Sequence, residues 1–318
     1  MHASLVTVLG ILALCVSGGD TVGAQRWAVL AAEQNAASVP SRSAASERPF
    51  MLGDRPFSSA SSWNTPISTS AHYSEVRWPA GSRFGVAWKS YSPAIYVSSS
   101  SDSLVSVAYP PVWGYRGGAL RVRMPLPADG ARGTDGELLI IDGGVVHNFW
   151  QFRRIDETTA TASSYAAADI VSGTGWGRAN PFRGAGIVAA GSSQLAGLLI
   201  QAETDRGPIA HALQLCIDMS LARPRPVGDA INSDGKNPNG IVQLGEHLAI
   251  PPDVPMPARL SPLGQKVFRA YQQYGAFVID VAGGVTNVRA QANAYDAQTI
   301  EALRLDLRRI TPLLQRVN

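Results

Sequence analysis

Between residues 94 and 166, apolar residues come in short runs or alternate with polar ones, and Gly, Pro or Asp closes the runs. The runs at 94–97, 104–108, 119–124, 137–141, 145–153 and 158–166 are rich in β-branched and aromatic residues. Tyr109-Pro110-Pro111 and Ala128-Asp129-Gly130 punctuate them. Short alternating runs between turn residues are the pattern of strands in a sandwich or barrel. The expectation is a mainly β fold, a jelly-roll-like β-sandwich with a few peripheral α-helices.

The second half reads differently. Residues 192–203 are apolar with a period of about 3.6, and 209–219 are apolar too; each could be a helix or a buried strand. Residues 262–274 predict a helix capped by Ser261, with Pro262 in its first turn and Gly275 at its end. Residues 276–281 follow as a buried strand, and 247–250 as a short one. Residues 298–315 predict the clearest amphipathic helix, with Ile300, Leu303, Leu307, Ile310 and Leu313 on one face.

The apolar run at 5–17 is too short to span a bilayer and ends in Val22-Gly23-Ala24, the small-residue pattern of a cleaved secretory signal. The reading is therefore a signal peptide at 1–24, a flexible Ala/Ser/Gln/Arg-rich leader at 25–54 and a single β-rich catalytic-like domain at 55–318. Cleavage would remove Cys15 and leave Cys216 as the only cysteine of the 318-residue chain, so the mature part could form no internal disulfide or cysteine zinc cluster. Charged residues make up only 16%, with a net charge of +3. That surplus is too small, and too scattered, to argue for nucleic acid. The expected setting is extracellular or cell-wall associated, as a monomer with no stable membrane span.

Candidate chemistry concentrates in two segments. In the first, Asp142-Gly143-Gly144 turns into a strand on which period two puts His147, Phe149 and Gln151 on one face and Asn148, Trp150 and Phe152 on the other. A sugar site needs an aromatic platform and amide or carboxylate partners for hydroxyls, and this segment holds both; the bland alternative is core aromatics with a polar strand surface. In the second, Glu203 closes an apolar run, where a carboxylate is costly without a partner or a task. His211 follows eight positions on. Glu203 could be a general acid raised by burial, with His211 orienting it, or the two could be a structural pair. Asp234-Gly235 reads as a turn with a possible site role, and Asp280, after four apolar residues, as a strand end beside a cleft. Asp234, Asn237 and Asn239 superficially resemble a calcium loop, but Pro238 and the missing terminal Glu spoil the pattern. No cofactor is expected, and a structural calcium is the only metal the sequence leaves room for. The glycine-rich stretch 172–193 carries no phosphate-binding fingerprint and is expected to be a long loop lining a groove.

Taken in order, several short motifs resemble a family: Phe57-Ser58 with Ser61 to Asn64; Asp135-Gly136, Ile141-Asp142 and Phe149-Trp150-Gln151; Gly197-Leu198, Glu203, Gly207 and 209–213; and 274–280. The chain resembles a broad, mostly uncharacterised family of secreted actinobacterial and fungal carbohydrate-active-like β-sandwich proteins, over roughly residues 55–290. It departs from the pattern after Leu248, where an acidic, leucine-rich stretch is missing. The resemblance implies a carbohydrate-active or carbohydrate-binding protein on a jelly-roll-like sandwich.

Three functions follow. The leading one is a glycoside hydrolase on a polysaccharide or oligosaccharide, with Glu203 and Asp142 as paired carboxylates, His147 and His211 beside them, and Trp63, Trp150, Trp176, Asn148, Gln151, Arg178, Asp234 and Asp280 holding substrate. The second is a lyase on a uronic-acid glycan, drawing on His147, His211, Tyr165, Arg153, Arg178 and Arg183. The third is a non-catalytic glycan-binding protein. The absence of a Gly-x-Ser-x-Gly elbow argues against a serine hydrolase.

Overall fold

The computed structural model describes residues 50–112, 117–177 and 187–318. The segments read as signal peptide and leader (all but residues 50–54), together with Arg178 and Arg183, lie outside the described residues. The first strands are β1 (Tyr73–Ser74), β2 (Phe84–Ala87), β3 (Ala94–Val97), β4 (Leu104–Tyr109) and β5 (Gly118–Arg123). Next come β6 (Leu138–Asp142), β7 (Val145–Trp150), β8 (Arg153–Arg154), β9 (Thr159–Thr161) and β10 (Ser164–Asp169). The rest comprises α1 (Gln201–Arg206), β11 (Leu213–Asp218), β12 (His247–Ala249), α2 (Pro262–Gln273), β13 (Ala276–Ala282), β14 (Thr286–Arg289), α3 (Ala297–Ile310) and β15 (Gln315–Val317). With 29% strand against 15% helix, the fold is mainly β with few helices.

Three sheets form. The seven-stranded sheet runs β1-β15-β12-β13-β11-β14-β2, and the two four-stranded sheets run β10-β7-β6-β3 and β5-β4-β9-β8. Parallel pairs (β11 with β13, β14 with β2, β3 with β6, β4 with β9) mix with antiparallel ones. Strand spacing alone does not reveal that mixture.

The β6–β7 sheet is shared between two cores, because successive side chains of a strand point to opposite faces. Leu138, Ile140 and Phe149 pack with Val105, Val107, Leu120 and Val122 of the other four-stranded sheet, closing a sandwich. Leu139, Ile141 and Val146 join the larger core with Leu215, Val278 and Ile279. Leu263, Val267, Phe268 and Tyr271 of α2, and Ile300, Leu303, Leu307 and Ile310 of α3, bury against that same core. Each such side chain contributes about 1.5–3 kcal/mol when buried. No helix among the described residues is long and apolar enough to cross a membrane.

Local chemistry explains most element ends. Gly143, at φ +63°, makes the turn between β6 and β7. The Ser261 side chain accepts a hydrogen bond from Gly264 N (3.0 Å), so α2 starts at Pro262 as the cap predicts. Four expectations need correction. The helix expected over 298–315 ends at Ile310; a tight turn at Thr311–Leu313, with Pro312 in it, releases the chain into β15. The run at 145–153 breaks after Trp150, because Gln151 takes φ +53°. The run at 158–166 is two strands belonging to different sheets. The segment 192–203 is neither helix nor strand until Gln201. Its backbone is satisfied across the fold instead, with Leu199 N donating to Arg289 O (3.1 Å) and Gln214 N donating to Gly197 O (2.9 Å).

Candidate functional site

A polar seam joins the seven-stranded sheet to the β6–β7 sheet. Arg289, at the end of β14, forms an ion pair through Nη2 with Glu137 Oε2, and both side chains are almost wholly buried. Arg289 Nε donates to Tyr91 O (3.0 Å). Gln194 Nε2 donates to the other Glu137 oxygen (2.7 Å), and Gln214 Nε2 donates to Gln194 O (3.0 Å). Asn148 Oδ1 accepts from Ser193 Oγ and Gln194 N, both at 2.9 Å, and its amide donates to Val146 O and Ala166 O. Asn148 therefore clamps the 193–194 turn from inside the fold and does not face a ligand.

Asp280 lies on the same face of the seven-stranded sheet. In the β11–β13 pairing, Leu215 faces Val278 and Cys216 faces Asp280, so Ile279 is an extra residue in β13. A one-residue bulge flips everything after it to the opposite face. Gln214 pairs with Phe277 and Cys216 with Asp280, and Gln214 and Cys216 share a face; the bulge therefore puts Phe277 and Asp280 together on that face.

Asp280 meets Asp234 there, and two neighbouring carboxylates with little water disfavour each other's charge. Burial and the neighbouring Asp234 charge push Asp280 up to about 7. Burial also raises Asp234, whose Oδ1 has no hydrogen-bond partner. Val281 N (2.9 Å) and Ala189 N (3.4 Å) donate to the Asp280 carboxyl. Both aspartates keep some contact with solvent. The facing Cys216 thiol is pushed well up by burial and stays protonated.

An aromatic cluster stands beside Phe277. Trp63 and Trp176 stack at 5.1 Å, Phe277 meets Trp63 edge-on at 4.9 Å, and His247 stacks on Phe277 at 4.3 Å. A groove of about 680 Å³ is lined by Ser62, Trp176, Asp229, His247 and Phe277. A second, of about 630 Å³, shares Asp229, His247 and Phe277 and adds Arg223, Glu246 and Arg316. Trp176 Nε1 donates to Ser62 Oγ, which donates to Asp229 Oδ2, both at 2.9 Å. His247 Nε2 donates to Tyr274 O (2.7 Å), and burial lowers its pKa, so the ring is neutral.

The other sequence candidates are spread out. Glu203 Oε2 is 2.9 Å from His211 Nε2, and Glu203 Oε1 accepts from Ala210 N. His211 Nδ1 meets Ala212 O at 2.8 Å, so both ring nitrogens face acceptors and the ring is an imidazolium. The backbone of Gly53 lies directly against the backbone of Ala202 and Glu203, and both side chains of the pair are nearly buried. Asp142 Oδ1 accepts from Ser98 Oγ (2.9 Å) at the tip of the β6–β7 hairpin. No hydrogen bond or ion pair among the described residues joins Asp142 to Glu203. His147 Nδ1 lies 2.8 Å from the Tyr165 hydroxyl, and burial lowers His147 to about 4. Trp150 Nε1 donates to Asp135 Oδ1 (3.4 Å), and Gln151 bonds Thr134 O and Ser163 Oγ. Trp63, at 1% exposure, is core; Trp176, at 2%, lines the groove but is almost wholly buried.

In the loop read as calcium-like, the Asn237 side chain is spent on Ser220 O and Asn239 N, while Asp234 turns to Asp280. No cluster of three metal-ligating side chains occurs among the described residues. The structure thus brings together Asp234 with Asp280, Glu203 with His211, and Trp63 with Trp176. Sequence reasoning missed Asp229, Glu137, Gln194 and Arg289. Arg289 and Gln214, each flanked by apolar strand residues, were the available signal. Neither a family model, nor a curated protein, nor a solved structure matches the chain.

Proposed function

We propose that the chain is a secreted carbohydrate-active enzyme, a glycoside hydrolase whose general acid is Asp280. The observation that carries this reading is the pairing of Asp280 with Asp234, which together with burial pushes Asp280 up to about 7, on the sheet face that also carries Phe277. A carboxyl protonated at neutral pH is what a glycosidase needs to protonate a leaving oxygen. The order of motifs that resembles secreted carbohydrate-active-like proteins supports the same substrate class.

Two carboxyls that act this strongly on one another's charge sit too close together to straddle a glycosidic bond, which needs about 5–9.5 Å between them. Asp234 and Asp280 therefore count as one proton donor. Asp229, exposed in the groove and held by Ser62, is the second carboxylate in this reading. Asp280 gives its proton to the glycosidic oxygen as the bond to the anomeric carbon breaks. Asp229 takes a proton from the water that adds to that carbon.

The acid works only while protonated, so activity holds below pH 7 and falls as pH rises through it. The test is a polysaccharide panel read for reducing ends and for ultraviolet absorbance of unsaturated uronides. Reducing ends alone are expected, with Asp280→Asn lowering the rate about 10²–10⁴-fold in a folded protein. Unsaturated products would instead favour a lyase, for which the His147–Tyr165 contact is the specific observation; the burial of His147 at 2% exposure counts against that reading. Glycan binding without cleavage would make the chain a binding protein.

A further inference from the structure

At the β2 edge of the seven-stranded sheet, a cleft of about 910 Å³ is lined by Trp78, Arg83, Asn287, Glu301, Arg304 and Arg308 among others. Three guanidinium groups face one carboxylate. Arg304 touches Glu301 only loosely, at 3.4 Å, and Arg83 spends Nε on Gly284 O. Arg308 makes no ion pair or side-chain hydrogen bond among the described residues. Arg304 and Arg308 stand four residues apart on α3, where like charges repel and weaken the helix. The helix C-terminus accounts for a cation at Arg308. It does not account for Arg83, which reaches the same cleft from the turn before β2.

We infer that this cleft binds an oxyanion, the carboxylate, sulfate or phosphate group of a ligand, between Arg83, Arg304 and Arg308. Guanidinium groups suit such groups because their planar donors match paired oxygens. Trp78, locked edge-on against Phe84 at 5.2 Å and 83°, supplies apolar surface beside the charges, which suits an anion carried on a ring. The inference does not depend on the acid pair, since none of the cleft's residues belongs to that site.

The test is calorimetric titration at low salt with three probes: an oligogalacturonate, a sulfated oligosaccharide and inorganic phosphate. At least one is expected to bind, weakening as salt rises. The double variant Arg83→Ala, Arg308→Ala should weaken that binding by about tenfold or more, since charge-assisted hydrogen bonds are lost. Both side chains are exposed, so melting should not change. Asp280→Asn should leave binding intact. An oligosaccharide that binds more tightly than phosphate assigns the cleft to an acidic sugar, and equal affinities assign it to a free anion. No binding by any probe, or equal affinity in the double variant, overturns the inference.

Discussion

Two acidic sites share one face of the seven-stranded sheet and are treated oppositely. Glu137 is almost wholly buried, and burial raises its pKa, but Arg289 on one oxygen and Gln194 on the other work to hold its charge. Asp280 is less enclosed, and after burial the largest influence on it is the charge of another carboxylate, Asp234. The first arrangement keeps a charge inside the fold and joins two sheets. The second disfavours ionisation and leaves a proton at a position solvent can reach. Burial alone does not mark a functional acid; what faces it does.

The comparison breaks most visibly at Arg289. Arg289→Ala leaves the Glu137 carboxylate buried and uncompensated, at an expected cost of about 3–5 kcal/mol. Urea unfolding measures this directly. If the variant fails to fold, the double replacement Glu137→Met, Arg289→Met should recover most of the loss, because it removes the stranded charge. Equal damage from the single and double variants would contradict the assignment.

A smaller effect is expected at Glu203–His211, the pair the sequence reading favoured for catalysis. Burial works against charge on His211, but the hydrogen bond and charge of Glu203 outweigh it and raise the pKa. The folded protein thus holds this proton more tightly than the unfolded chain. The stabilisation is full below the ordinary histidine value of about 6.5 and is lost as pH rises through the higher folded value. Glu203→Gln should cost about 1–3 kcal/mol at pH 6 and less at pH 8, with glycan cleavage preserved. A folded variant without activity would return Glu203 to the catalytic site.

How much of this was legible in the sequence follows from how local each feature is. The strand at 94–97 and the start of α2 at Pro262 depend on neighbouring residues alone, and both stand where the pattern puts them. The end of α3 does not: amphipathic spacing continues to Leu313, and only the tight turn containing Pro312 shows that the chain has left the helix. Asp280 was visible as a carboxylate after an apolar run, and Asp234 as a turn residue. Their meeting depends on the Ile279 bulge and on contacts across 46 positions, the difference between 280 and 234. A continuous apolar stretch has no alternation from which a bulge could be read. Gly197 shows the same limit. It looks like any loop glycine, yet a side chain there would run into Trp63 and the Gln214 backbone.

The most direct test of the central claim is a carbon-13 NMR titration of the aspartate carboxyl carbons in the intact protein and in Asp234→Asn. The account predicts one carboxyl of the wild type titrating near pH 7, moving down toward the ordinary aspartate range once the Asp234 charge is gone. Asp234 and Asp280 both titrating near 4 in the wild type would mean that no proton is held between them at neutral pH, and the proposed acid would be lost.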